Sequence, residues 1–207
     1  MPVSFLAAQL RRTGVTSAIP LMAGAAVALV GKAAAAAWSP VQAMALSFGL
    51  QQVFIICAGV SAAVAVTGDP LVELHEATPA TFRRVQLVRA AIATASGVVG
   101  AVLMFAPLHL AGVWMHDKGW ITLLSPAGAV IVMAAAAFVA TAFTGAVSTT
   151  AIAVVTTWMF LAMLWDPYVE PLLFQRGVPV LAAGALAAFA WRRLGDAERN
   201  VSRAVTA

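Results

Sequence analysis

"ITLLSPAGAVIVMAAAAFVATAFTGAVSTTAIAVVTTWMFLAMLW" fills residues 121–165 without one charged side chain. A hydrocarbon core about 30 Å thick needs about 20 helical residues to cross it at about 1.5 Å each. This run of 45 residues is far too long for one tilted helix. Its one turn-like interruption is "TGAVSTT" at 144–150, a glycine among small and hydroxyl-bearing residues. A break there makes two spans and six in the chain. Without it there are five, and the basic C-terminal segment is carried across to the side opposite the basic N-terminal segment. We therefore place a hairpin at 144–150.

Outward from that hairpin, the apolar segments fall at roughly 14–34, 44–66, 89–114, 121–143, 147–165 and 177–194. All are read as helices, because lipid offers no partner to an unpaired backbone group. The composition agrees. Of 207 residues 62% are hydrophobic and 10% charged, with a mean hydropathy of +0.95, well beyond a soluble domain of this length. The fold class is an all-α integral membrane protein with a single transmembrane domain over 1–207. The net charge of +4 does not indicate nucleic acid, since the basic residues stand in ones and twos between spans. Lone Cys57 lies in an apolar run, so neither an intrachain disulfide nor a cysteine-ligated metal is available.

Charge sets the orientation. Arg11, Arg12, Arg83, Arg84, Arg89, Arg192, Arg193, Arg199 and Arg203 share one side with both termini, while Lys32, Lys118 and Arg176 lie opposite. The first side is assigned to the cytoplasm. Trp38, Trp114, Trp120, Trp165 and Trp191 fall at predicted span ends, as an interfacial belt requires. Alanine abundance and ten arginines to two lysines suggest a GC-rich bacterial genome, hence the bacterial plasma (inner) membrane. Residues 3–12, "VSFLAAQLRR", are read as a short amphipathic helix at the interface rather than as part of a cleavable leader.

The cytoplasmic stretch "TGDPLVELHEATPATFRRVQLVR" (67–89) holds six charged residues, a histidine and two prolines. Asp69 before Pro70 is an N-cap followed by a residue preset for the first helical turn, and Thr78 before Pro79 repeats the signal. Leu71 and Leu74 share one face of the short helix between them, Glu73 and Glu76 another. A simple turn needs four or five residues, so about twenty suggest a docking surface. A solvated loop obeying the charge rule remains the plainer reading.

The wording "GDPLVELHEATPATFRRVQLVR" resembles the first cytoplasmic loop of actinobacterial ABC-2 type transporter permeases, in which a stretch close to D-P-x-x-E-L-x-x-A-T-P precedes paired arginines. The likeness is densest over this tenth of the chain. It implies an ABC-2 type permease fold whose coupling helix docks a separate ATPase through Asp69, Pro70, Glu73, Leu74, His75, Glu76, Ala77, Thr78 and Pro79, with Arg83 and Arg84 at the edge. It further implies two copies of that ATPase, carrying ATP and Mg, and a second six-span permease, identical or different. No cofactor is expected in this chain itself.

The chain lacks chemistry of its own. Gly31-Lys32 imitates a phosphate loop, but Ala26 and Ala33 stand where a glycine and a hydroxyl are needed, so no ATPase activity is expected. No Asp or Glu falls inside a predicted span, which argues against intramembrane catalysis and a proton-coupled carrier. His109 and His116 lack a third ligand, and no metal site is predicted. Gln51, Gln52, Thr156, Thr157 and Trp158 are candidates for a translocation path, and equally for helix–helix hydrogen bonding. Pro20, Pro107 and Pro126 are expected to kink their spans. The connection at 166–179, with Tyr168, Leu172, Leu173 and Phe174, is read as an outer gate. The expected function is the membrane subunit of an ATP-driven exporter moving a lipid, peptide or hydrophobic drug, with membrane lipid around it and no nucleic acid partner. The alternative is a non-transporting assembly protein whose loop docks another soluble partner.

Overall fold

The computed structural model of the chain describes residues 3–67 and 82–195. Helix α1 (Val3–Ala37) is followed by α2 (Pro40–Val66), α3 (Phe82–Leu110), α4 (Leu124–Thr144), α5 (Val147–Met159) and α6 (Leu172–Arg193). One 3-10 turn, Trp120–Leu123, leads into α4, and α5 continues as a π-helix over Phe160–Trp165. Six of these helical stretches are long and apolar enough to cross a membrane, so the chain is a multi-pass membrane protein. Six crossings return Leu194 to the side on which Val3 began.

Two connections are only two residues long. Between α1 and α2, the Ser39 backbone N–H and hydroxyl both donate to Gln42 Oε1, and Pro40 opens the helix with the φ its ring dictates. Between α4 and α5, Gly145 takes φ of +70° and donates its N–H to the Thr141 carbonyl, the left-handed ending that glycine adopts without a Cβ clash. Thr141 and Thr150 then join hydroxyls across the hairpin at 3.1 Å. The 144–150 turn thus stands where the sequence placed it, compressed to Gly145 and Ala146.

Helices α2 and α4 form the centre, each with 56% of its most apolar stretch buried, against 11% in α6. Phe54, Met104, Phe105, Leu108 and Met133 fill the core between them and α3. Helix α1 lies along α3 at backbone distance, since a Cβ on Gly24 would sit 2.2 Å from the Gly100 carbonyl oxygen and one on Gly100 would sit 2.5 Å from the Pro20 oxygen. Close approach of small residues is how helices pack where lipid removes the hydrophobic drive.

The prolines inside the helices explain two interhelical bonds. Proline has no N–H to give the carbonyl four residues before it. Pro20 thereby frees the Thr16 carbonyl, which accepts from the Ser61 hydroxyl on α2. Pro179 frees the Gln175 carbonyl, which accepts from the Trp165 indole N–H at 2.8 Å.

Four expectations need correction. Residues 3–12 are not a separate interfacial helix: α1 runs unbroken through them. Nothing stops it, because a lone Gly14 costs only about 1 kcal/mol, and buried Gln9 is pinned to α3 by Arg89 Nε at 3.0 Å. Arg89 itself is 3% exposed within α3, not a loop charge. The sixth span begins at Leu172, not 177, so that Arg176 lies inside it rather than in a connection. Trp114 packs edge-on against Phe105 and is buried, outside any interfacial belt.

Candidate functional site

At the end of the bundle bearing Ser39, Asp117 and Asp166, a cavity of about 720 Å³ opens between α2, α5 and the start of α6. Exposed Met115, His116, Lys118, Pro167 and Glu170 form its mouth. Phe48, Gln51 and Gln52 on α2 face Trp158 on α5 and Ala162 and Met163 on its π-helical continuation deeper down. Gln51 is eleven residues from Pro40, the first residue of α2, or about 17 Å along the axis. The cavity therefore reaches about two fifths of the way along the 27 residues of α2.

One wall is an ion pair. Arg176 Nη1 and Nη2 donate to Asp166 Oδ1 and Oδ2, both at 2.6 Å, the parallel fork that matches guanidinium to carboxylate. Arg176 is 5% exposed. Its aliphatic stem lies on Gly128 of α4, where a Cβ would come within 3.1 Å of it, and Nη2 also reaches Ser125 Oγ at 3.3 Å. Gln175 Nε2 donates to the Asp166 carbonyl at 3.0 Å. Together with the Trp165 to Gln175 bond, these contacts tie the end of α5 to the first turns of α6. The π-helix at Phe160–Trp165 delivers Asp166 to this position, the Asp166 N–H bonding the Leu161 carbonyl five residues back at 2.8 Å. Such segments are rare and recur at functional sites.

Of the translocation-path candidates, Gln51, Gln52 and Trp158 come together here, and Trp158 Nε1 donates to Gln52 Oε1 at 3.1 Å, linking α5 to α2. Thr156 is exposed elsewhere on α5, and the Thr157 hydroxyl bonds the Ala153 carbonyl in its own helix. Of the outer-gate candidates Leu172 lines the cavity, while Tyr168, Leu173 and Phe174 are exposed. Among the coupling residues, Asp69, Pro70, Glu73, Leu74, His75, Glu76, Ala77, Thr78 and Pro79 lie outside the described residues. Arg84 is exposed, and the Arg83 guanidinium lies 5.2 Å from the Trp191 ring centroid. His109 pairs through Nδ1 with Asp117 Oδ2 and stacks on Phe105. Among the described residues no group of three His, Cys, Asp or Glu is placed to hold a metal ion.

Sequence reasoning missed Asp166 and Arg176 as partners. The available signal was two opposite charges ten residues apart at one end of adjoining spans. No known protein family, curated protein or solved structure matches the chain.

Proposed function

We propose that this chain is the membrane subunit of an ATP-driven exporter of the ABC-2 type, working with a second six-span subunit and two copies of a separate ATPase. The observation that carries the reading is the deep cavity with a polar floor at Gln51 and Gln52, at the end of the bundle opposite Thr67 and Phe82. A path needs an opening on one side and a drive on the other. The resemblance of residues 68–89 to an ATPase-docking loop supplies the second. In this reading substrate leaves past Trp158 and the Asp166–Arg176 pair, the drive coming from the partner ATPase bound at Glu73, Glu76 and their neighbours in a bacterial plasma membrane.

The test is purification of the full chain from its native cell in mild detergent through a C-terminal tag. The expected result is an ATP-binding cassette subunit in near-equal amount, lost in Glu73→Ala/Glu76→Ala protein that still inserts normally. A partner that is not an ATPase, or none, overturns the proposal in favour of a non-transporting assembly role.

A further inference from the structure

A second concavity, of about 740 Å³, runs along the lipid-facing side between α3, α4 and α6. Its walls are almost wholly apolar and mostly small, including Ala91, Ala95, Ala134, Gly184 and Ala188, and Trp191 closes one end. A Cβ on Gly184 would meet nothing within 4 Å, so the groove is open space there.

Cations gather at the Trp191 end. Arg83 and Arg84 stand one helical turn before Leu87 and two before Ala91 of the groove wall, and Arg192 one turn after Ala188. The Arg83 guanidinium covers the Trp191 ring at 5.2 Å, while that of Arg193 lies over Phe143, outside the groove, at 4.3 Å. Among the described residues no carboxylate pairs with Arg83, Arg84 or Arg192. Three like charges collected at the Trp191 end of an apolar trough call for an anion joined to a hydrocarbon.

We propose that this groove binds one anionic phospholipid, its acyl chain lying along Ala91, Ala134 and Gly184 and its phosphate held among Arg83, Arg84 and Arg192. Basic pockets between membrane helices hold anionic head groups in this manner. A second copy of the chain fits poorly, because a two-fold contact through this face would set the three arginines against their own equivalents. The inference is independent of the transport reading.

The test uses the full-length protein, delipidated in detergent, offered phosphatidylglycerol or phosphatidylcholine and weighed intact by native mass spectrometry. One phosphatidylglycerol is expected to stay bound where phosphatidylcholine does not. Its retention should fall about tenfold or more in Arg83→Gln/Arg192→Gln. Gly184→Leu, which fills the groove and keeps every charge, should lose it as well, while Lys32→Gln at the far end keeps it. Equal retention of the two lipids overturns the proposal, as does unchanged binding in the arginine or the Gly184 variant. A lipid-free dimer that Gly184→Leu dissociates overturns it in favour of a second copy.

Discussion

Replacing Asp166 by asparagine leaves the Arg176 guanidinium, 5% exposed, without its counter-charge, its side-chain acceptors reduced to one amide oxygen and Ser125 Oγ at 3.3 Å. Removing one member of a buried pair costs about 3–5 kcal/mol, because the other charge stays buried without its partner. Asp166, with a side chain 22% exposed on the cavity wall, lowers that figure towards its bottom, so we expect a loss of about 3 kcal/mol. Arg176→Met is the informative contrast. It keeps the aliphatic stem on Gly128, and the carboxylate it strands can draw water from the cavity, so its loss should be about 1–2 kcal/mol. The double variant strands no charge and should lie within about 1 kcal/mol of the parent. At about 2–4 °C per kcal/mol for a chain of this size, Asp166→Asn should unfold about 6–12 °C early in detergent and the double variant only a few degrees early. A shift for Asp166→Asn within about 2 °C of the parent, or a double variant as unstable as Asp166→Asn, would refute the reasoning by showing that the pair is not desolvated.

Gly24→Ala and Gly100→Ala should each lower stability by about 2 kcal/mol or more in the same thermal assay, since each Cβ meets a backbone oxygen. Gly49→Ala, with nothing within 4 Å, should gain about 0.5–1 kcal/mol. Ser61→Ala strands the Thr16 carbonyl and is expected to cost about 1 kcal/mol in a chemical unfolding series. That loss should shrink in a Pro20→Ala background, where the restored N–H satisfies the same oxygen. Gln52→Leu removes the link to Trp158 and should destabilise by about 0.6 kcal/mol, up to about 1.7. In a Cys57→Ala background, a membrane-impermeant maleimide should label Ser39→Cys and Lys118→Cys from one face of sealed vesicles and Arg84→Cys only from the other. Labelling of all three from one face would contradict six crossings.

What could be read from sequence followed from the bilayer's demand for length and apolarity. Residues 121–165 forced a hairpin, and Gly145 marked it because a left-handed ending is needed there. Gln51, Gln52 and Trp158 stood out as polar or bulky within apolar runs and do share a cavity. Arg176 was assigned to a connection because hydropathy counts a charge as a boundary, whereas here Asp166 neutralises it and Gly128 makes room for its stem. The unbroken course of α1 depends on Arg89 reaching Gln9 eighty residues away, a pairing with no local mark. The π-helix has no sequence signal we recognise; its effect is visible only in where Asp166 arrives.

The two-residue connections limit which parts of the bundle can travel separately. A link as short as Trp38-Ser39 or Gly145-Ala146 has almost no slack, so α1 moves with α2 and α4 moves with α5 as paired levers. The cavity at Gln52 and Trp158 has one wall on each lever. Any widening there is a pivot of one hairpin against the other, and the shared Gln52–Trp158 hydrogen bond is the first thing such a pivot must break.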